Sequence, residues 1–275
     1  MAMFWRCPHC LSPLSAENSR AVCCNGHSFD FARQGYLNLL PANFKRSQSP
    51  GDDKAMLTAR RQFLDAGYYQ SLLDHLLVTQ DRLVAQSNAE SFTALDLGGG
   101  DGYYSARMQT QCSRSTWYLS DISKDAVKMA AARFERGRCA VASSFKLPVM
   151  DASVDWVMRN FAPADDGELK RILKPGGICL IITPGQDHLI ELRRCLYDNP
   201  KAHKPGDAPT NGKLLDRQFV NETIQLSEVS HRQWLFSMTP MVWRAPQNAQ
   251  QAWLNADDST VTLSFTLSFY GFDDE

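Results

Sequence analysis

The sequence predicts an α/β protein in which a doubly wound, mainly parallel sheet follows a small N-terminal ribbon module stabilised by metal. Two observations predict this fold class. From about residue 92 onward, short apolar runs alternate with stretches of helical periodicity, a pattern typical of strand–helix–strand units. Upstream, four cysteines fall within the first 24 residues, among prolines and glycines that interrupt every periodic pattern. A metal ion would replace the core that such a loop-rich segment cannot build.

The apolar runs give the expected order of elements. They cover residues 92–97, 117–120, 138–142, 154–159 and 178–183. A later run over 260–270 alternates strictly, so we expect an antiparallel strand at or beside the sheet edge. Apolar residues within 57–83 predict helices that break near Gly67. We therefore divide the chain into a zinc-binding module over residues 1–45, a helical connector over 46–89 and an α/β domain over 90–275.

Charge and hydropathy exclude some classes of protein. A formal net charge of −1 argues against a protein that coats nucleic acid through bulk positive charge. The chain lacks the run of roughly 20 apolar residues that a bilayer-spanning helix needs, and it does not start with the apolar run of a signal peptide. We therefore expect a cytoplasmic protein with no membrane partner. Six basic side chains within residues 31–61 predict either a local basic face or an ordinary solvated surface.

Three cysteines and a histidine have the spacing of a zinc site. Twelve residues separate Cys10 from Cys23, while Cys7 pairs with Cys10 and Cys23 with His27 at the short spacings of metal knuckles. Cys24 is an alternative ligand, although adjacent residues seldom direct both side chains at one ion. Because a fully ligated site leaves no open position for water or substrate, we expect one structural Zn²⁺ held by Cys7, Cys10, Cys23 and His27.

A glycine-rich loop, LDLGGGDG over residues 95–102, ends one predicted strand and precedes a helix that we expect to begin near Tyr103. Glycines let a backbone turn sharply and approach a ligand closely. Asp121 lies 19 residues beyond Gly102 at the end of the next apolar run, where a carboxylate can accept hydrogen bonds from both ribose hydroxyls of a nucleoside. The candidate cofactor-binding residues here are Asp96, Gly98, Gly100, Asp101, Gly102 and Asp121.

Further motifs lie next to the third, fourth and fifth predicted strands. Ser143 and Ser144 follow the third predicted strand, where a polar side chain can meet an adenine amino group. Asp155 begins the fourth strand, and LKPGG over residues 173–177 precedes the fifth. This order resembles that of class I methyltransferases, which implies a Rossmann-like fold and S-adenosylmethionine as the cofactor.

Motifs along nearly the whole chain resemble those of a narrower group. The longest are QGYLNLLP at 34–41 and ARRQFLDAGYY at 59–69. Shorter ones are FD at 29–30, PGD at 50–52, DGYY at 101–104, AP at 162–163, TPG at 183–185 with HL at 188–189, and MTP at 238–240 with WR at 243–244. Together they resemble the bacterial 23S rRNA (guanine-N1)-methyltransferases, the large-subunit rRNA methyltransferase A family, in its Gram-negative type.

The resemblance implies methylation of N1 of a guanine in a hairpin loop of 23S rRNA, by a homodimer whose zinc modules take part in RNA recognition. It also adds Tyr36, Tyr69 and His188 to the cofactor site. Gly99 stands where the family commonly has Cys, which should leave the fold unaffected, and the Pro- and Gly-rich segment 197–212 departs from the pattern. The family includes members that act on neighbouring guanines of one hairpin, and the sequence leaves that choice open.

The loop after the fourth predicted strand carries the candidate catalytic residues. It lies at the carboxyl end of the sheet, where open α/β folds bind ligands. Asn160 can bond the edge of the guanine and Phe161 can stack on it, while Arg60 and Arg61 can bind phosphates nearby. The alternative is a plain strand-to-helix connector. Because the methyl donor is already activated, we expect alignment to carry catalysis with modest help from a base.

Other functions fit part of the sequence. A small-molecule methyltransferase, such as one acting on a quinone precursor, needs only the glycine loop and Asp121 and leaves the zinc module unexplained. A non-catalytic zinc module that only binds RNA does not account for the intact loop. An NAD-dependent dehydrogenase would need a catalytic His and Arg pair, which is not recognisable here.

Overall fold

The structure is a computed structural model that describes residues 2–42, 53–87, 90–204, 206–243, 245–256 and 260–272. The PGD motif at 50–52, Lys45, Arg46 and Arg244 lie outside the described residues. Within them the chain forms a small sheet, a large sheet and the helices that cover the large sheet. None of the helices in this part of the chain is long and apolar enough to cross a bilayer.

The small sheet is an antiparallel ribbon in which consecutive strands are neighbours. Its strands are β1 (Ala2–Arg6), β2 (Pro13–Glu17), β3 (Arg20–Cys23) and β4 (Ser28–Asp30). Glu17 pairs with Arg20, so only two residues make the turn between β2 and β3, and Asn18 adopts a positive φ of 32° there. Asparagine tolerates this left-handed conformation better than most residues. The predicted ribbon module is confirmed.

The large sheet has eight strands in the order β11-β12-β10-β9-β6-β7-β8-β5. Their bounds are β5 (Leu37–Asn38), β6 (Phe92–Leu97), β7 (Ser115–Asp121), β8 (Cys139–Val141), β9 (Val154–Asn160), β10 (Leu173–Pro184), β11 (Lys213–Gln225) and β12 (Thr260–Gly271). The strands from β5 to β10 pair in parallel, whereas β12 is antiparallel to both β10 and β11. The five predicted parallel strands and the antiparallel strand beside the edge are confirmed.

Two strands of the large sheet were not predicted. The edge strand β11 is exposed at most positions, so its sequence lacks the apolar alternation of a half-buried strand. The short strand β5 pairs with β8 through Leu37 and Asn38, although it lies within the segment assigned to the zinc module. Residues 1–45 therefore contribute to both sheets, and the division of the chain at residue 45 stays a prediction.

The helices follow the predicted pattern. They are α1 (Lys54–Asp65), α2 (Gln70–Gln86), α3 (Tyr103–Gln111), α4 (Lys124–Ala130), α5 (Asp166–Ile172), α6 (Ile190–Leu196), α7 (Val229–Ser237) and α8 (Gln247–Leu254), with a short 3-10 helix at Pro240–Trp243. Asp53 caps α1 by accepting a hydrogen bond from the Met56 amide. Gly67 has a φ of +86° between α1 and α2, which confirms the predicted break. The start of α3 at Tyr103 is confirmed as well.

Both faces of the parallel part of the large sheet are buried, as expected for parallel strands. Along β6, Phe92 and Ala94 pack into a cluster with residues of α1 to α3, whereas Leu95 and Leu97 pack on the opposite face. The ribbon covers part of that second face. Its Trp5 is fully buried, and the indole Nε1 donates a hydrogen bond to the Gly137 carbonyl at 2.7 Å. The ribbon is therefore docked on the α/β domain through a shared core.

The order of the strands also locates a crevice. From β6 the chain continues to β7 and β8 on one side, then returns to β9 and β10 on the other. The strand order thus reverses between β6 and β9, and open α/β sheets bind ligands at the carboxyl ends of such a pair.

Candidate active site and metal centre

Cys7, Cys10, Cys23 and His27 come together at one end of the ribbon. Their four ligand atoms all lie within 4.8 Å of one another. The Cys10 and Cys23 sulfurs are 3.6 Å apart, and His27 Nδ1 lies 3.4 Å from Cys23 Sγ. Ligands about 2.3 Å from a tetrahedral zinc ion would be about 3.8 Å apart, so the group is of the right size for zinc.

Each pair of ligands sits on a tight turn of the backbone. The Leu11 amide donates to the Cys7 carbonyl at 2.8 Å, and the Gly26 amide donates to the Cys23 carbonyl at 3.0 Å. Cys24 is exposed and is not one of the four converging residues. The geometry thus favours Cys23 over Cys24, as expected for adjacent residues that point in different directions.

The glycine loop passes directly beside the loop that follows β9. Gly98 has a φ of +71°, and a Cβ at this position would lie 2.4 Å from Cβ of Ala162. Only glycine permits both this conformation and this approach. The close contact joins the two loops that border the crevice at the strand reversal.

Gly99 has no space for a side chain. A Cβ there would lie 2.5 Å from Cγ of Asp96 and 2.7 Å from Cδ1 of Leu119. The Cys that the family commonly carries would therefore require Asp96 and Leu119 to shift, although the strand order around the loop is as predicted.

The predicted acids of the cofactor site occupy three different environments. Asp121 Oδ2 accepts a hydrogen bond from the Gly100 amide at 3.0 Å, and its Oδ1 accepts one from the Ser123 amide at 2.8 Å. Asp101 is buried and forms an ion pair with Arg133 at 3.0 Å. Burial raises the pKa of the Asp101 carboxyl, and Arg133 opposes that effect. Asp121 is thus the acid fixed against the glycine loop itself.

Asp96 lies beneath the loop. It is almost fully buried, and Ser105 Oγ donates a hydrogen bond to its Oδ2 at 2.5 Å. Burial raises the pKa of Asp96 to about 7 despite that hydrogen bond. The Asp96 side chain therefore packs closely under Gly99 and is hydrogen-bonded to α3.

Tyr69 and His188 meet near Phe161, whereas Tyr36 packs in a different cluster. The Ser264 amide donates to His188 Nδ1 at 3.2 Å, so Nε2 carries the proton and faces Tyr69 Oη at 3.4 Å. Burial lowers the pKa of His188 to about 3, with His203 and Arg193 adding to the effect, so the imidazole is neutral at neutral pH. Tyr36 packs instead with Leu119 and the apolar side of α4.

Asn160 and Phe161 sit where β9 ends. Within the described residues, Asn160 Oδ1 is buried and has no hydrogen-bond partner. Phe161 has a φ of +55°, a conformation that is costly for a residue with a Cβ. Its ring is 48% exposed, with its centroid 5.9 Å from the His188 ring. An unpaired buried acceptor next to a half-exposed aromatic ring has the features of a binding site for a flat polar ligand.

The structure also adds a residue that the sequence does not single out. Phe265 on β12 packs against Tyr69 and His188, with ring centroids 5.0 Å and 4.9 Å away. The alternation along residues 260–270 predicted the strand but not the neighbours of its inward face. Arg60 was proposed for phosphates, and its guanidinium lies 3.9 Å from where a Cβ of Gly100 would stand. Arg60 therefore lies beside the open side of the loop.

Comparison with known families agrees with both parts of the fold. Residues 5–48 match the family described as RlmA, N-terminal, a zinc ribbon, and residues 94–177 match the family described as methyltransferase domain. The glycine loop, the acid that ends β7 and the sheet define a class I S-adenosylmethionine-dependent methyltransferase, and the ribbon adds the ligand set of one zinc ion.

Curated relatives identify the group more closely. The chain is 40% identical to the 23S rRNA (guanine(748)-N(1))-methyltransferase of Streptomyces fradiae, in a match that covers 69% of this chain and 66% of that protein. It is 36% identical to a protein of Micromonospora griseorubida named as a 23S rRNA (guanine-N(1)-)-methyltransferase, covering 68% of each. A similarly named protein, YxjB of Bacillus subtilis, is 29% identical over 89% of this chain and 88% of its own length. The chain belongs to the family of 23S rRNA (guanine-N1)-methyltransferases.

Proposed function

We propose that this protein transfers the methyl group of S-adenosylmethionine to N1 of a guanine in a hairpin loop of 23S rRNA. The observation that carries the proposal is the contact between Gly98 and Ala162, which places the glycine loop beside Asn160 and Phe161. A methyl donor on one loop and an acceptor base on the other would then meet at the reversal of the strand order. The choice of a 23S rRNA guanine as the substrate is supported by the relatives, which are named as 23S rRNA (guanine-N1)-methyltransferases.

On the donor side, the residues hold a nucleoside. Asp121 fixes the loop through the Gly100 amide. A carboxylate at this position can also accept hydrogen bonds from ribose hydroxyls. We assign Asp96 and Asp101 to the same site as groups that hold the loop in shape, and Gly100 and Gly102 as positions where the backbone meets the ligand. Tyr36, Tyr69 and His188 remain proposals from the resemblance. When bound, the cofactor supplies a methyl group activated by a sulfonium.

On the acceptor side, the residues hold and orient a base. Asn160 Oδ1 is a buried acceptor that the N1–H or the amino group of guanine would satisfy, and Phe161 offers a ring for stacking. During transfer the N1–CH3 bond forms as the S–CH3 bond breaks, and the N1 proton passes to water, because an amide oxygen is too weak a base to take it. An acceptor that holds the amino group next to N1 leaves the in-plane lone pair of N1 facing the methyl group. The strained backbone of Phe161 is consistent with a ring that is positioned for a ligand.

The zinc ribbon would extend the RNA-binding surface. We propose Cys7, Cys10, Cys23 and His27 as the ligands of one structural zinc ion, and the ribbon as an RNA-recognition element held rigidly by Trp5. A homodimer would place two ribbons on one RNA. Because the proposed substrate is ribosomal RNA, we infer that the protein acts in the cytoplasm.

The test is to methylate 23S rRNA with the purified protein and labelled S-adenosylmethionine, then map the modified nucleotide. We expect nuclease digestion to release the label from the RNA. Mapping should place the label at N1 of a guanine in a hairpin loop. Asn160→Ala should lower turnover with little change in RNA affinity, because the mutation removes alignment. Label at N2, N7 or a ribose would contradict the acceptor assignment, and label only in small molecules would favour a small-molecule methyltransferase.

A further inference from the structure

An open cleft of about 570 Å³ lies between α1, α4 and α7, and the proposed chemistry does not use it. Helix α7 belongs to the segment between β11 and β12. Since β12 runs antiparallel to β10, this segment enters the sheet at the carboxyl end of β10, the edge that carries the proposed active site. The cleft is lined by Thr58, Arg61, Gln62, Asp65, Ala66, Met129, His231 and Trp234.

One wall of the cleft is aromatic and fixed in place. The rings of His231 and Trp234 are 4.6 Å apart at an interplanar angle of 36°. Tyr68 Oη lies 2.6 Å from His231 Nδ1, and this hydrogen bond fixes the imidazole ring. Preordered aromatic surfaces of this kind bind unstacked nucleobases at little entropic cost.

Arginine side chains surround Asp65 at one side of the cleft. Asp65 is contacted by Arg61 at 3.5 Å, by Arg107 at 3.3 Å and by Arg133 at 3.6 Å. Arg133 also pairs with Asp101, so three guanidinium groups share two carboxylates. The Arg61 side chain is 47% exposed and can turn toward a phosphate. Gln62 adds an amide that can bond a base edge.

Helix α1 connects this cleft to the cofactor loop. Consecutive helical residues point about 100° apart, so Arg60 and Arg61 face different neighbours. Arg60 lies beside Gly100 of the glycine loop, whereas Arg61 lines the cleft. A single RNA strand that crosses α1 could therefore contact both arginines.

We propose that this cleft binds a nucleotide of single-stranded RNA next to the target guanine, with the base against His231 and Trp234 and the phosphate on Arg61. This inference rests on the proposed function and names a second subsite for the same substrate. The aromatic wall can stack on the base, the guanidinium can bind the phosphate, and the amide can bond the edge of the base.

The first experiment measures the affinity of the full-length protein for the 23S rRNA transcript that it methylates, at several salt concentrations. Arg61→Ala should weaken binding and reduce the slope of log K against log salt by about 0.7, the value for one lost contact to a single strand. The matched control is Arg82→Ala. Arg82 is 44% exposed and lies 3.9 Å from Asp216, on the edge of the sheet away from the cleft. It should leave the slope unchanged.

The second experiment tests the base contact. His231→Ala should weaken RNA binding by about fivefold or more, as expected for loss of one stacked base, while S-adenosylmethionine affinity stays the same. In a Trp243→Phe background, Trp234 is the partly exposed tryptophan that remains, since Trp5, Trp117, Trp156 and Trp253 are buried. RNA should then quench the fluorescence, and Trp234→Phe should abolish the quenching.

The outcomes separate the two proposals. If the wild-type protein neither binds nor methylates 23S rRNA, the proposed function fails. If it methylates the RNA while Arg61→Ala matches Arg82→Ala, and His231→Ala and the fluorescence show no effect, the cleft is not a nucleotide subsite. Changes in thermal stability of each variant show whether a loss of affinity reflects unfolding.

Discussion

The ribbon and the α/β domain achieve a folded state by different means. The α/β domain buries both faces of a parallel sheet, with side chains such as Trp117, Trp156 and Phe265 fully enclosed. The ribbon has only four short strands, and its buried side chains, such as Trp5 and Leu14, belong to a core that it shares with the domain. A region of this size cannot build a core, so it depends on a metal site and on docking.

Because the ribbon and the domain are stabilised differently, the zinc site and the cofactor site should fail independently. The metal site is set by two local turns, whereas the glycine loop is set by the neighbours of β6. Loss of zinc should therefore affect the ribbon first, and changes in the loop should leave the zinc in place.

Cys7→Ser should release zinc and unfold the ribbon, because structural zinc contributes on the order of 10 kcal/mol to such modules. Zinc content and limited proteolysis within residues 2–42 measure the loss, and calorimetric binding of S-adenosylmethionine should be retained. Cys24→Ser is the matched control, since Cys24 is exposed and outside the converging group. Full zinc content in Cys7→Ser, or loss of zinc in Cys24→Ser, would show that the ligands are assigned wrongly.

Trp5→Ala should lower the free energy of unfolding by about 3–5 kcal/mol, the usual cost of emptying the space of a large buried ring. Chemical denaturation measures this cost. Trp5→Phe keeps a ring but removes the donor to the Gly137 carbonyl, so we expect a smaller loss. A negligible effect of Trp5→Ala would mean that the ribbon does not depend on docking.

The two regions should respond to pH in opposite directions. Folding raises the pKa of Asp96 to about 7 from its ordinary value of 3.8, so the folded state holds this proton more tightly. The contribution of Asp96 to stability is therefore lost as pH rises from about 4 to 7, by up to about 4 kcal/mol in all. Zinc binding strengthens over the same range because its ligands lose protons.

The variant Asp96→Asn isolates the carboxyl. Its stability relative to the wild type should increase from pH 4 to pH 7 and then stay level, as measured by thermal unfolding of the zinc-loaded proteins. A difference that is constant across this range would show that Asp96 titrates normally.

Asp121→Ala should weaken S-adenosylmethionine binding by about 1.5–3 kcal/mol, because charge-assisted hydrogen bonds to ribose would be lost. Equilibrium binding measures the change, and zinc content should not alter. Asp125→Ala, an acid in the first turn of α4, provides the control. Equal affinity in both variants would place the ribose elsewhere.

Much of the fold could be predicted because its signals are local. The apolar runs predicted the parallel strands, the break at Gly67 separated two helices, and the cysteine spacing predicted a group that the structure brings together. Strand β11 could not be predicted, because an exposed edge strand carries no alternation and its partner is β12, 35 residues away at the near ends. A helix or strand shows a periodic pattern of apolar residues only when one of its faces is buried and the other is exposed.

The sequence by itself determined which chemical groups are present: a four-ligand metal set, a flexible glycine loop and an acid one strand further on. Only the tertiary structure decided which of these groups meet. It brought Gly98 against Ala162, set His188 beside Tyr69 and Phe265, and opened the cleft between α1 and α7. The reason is physical: spacing along the chain controls contacts within a turn or a helix, whereas contacts between distant segments depend on the order in which strands enter the sheet.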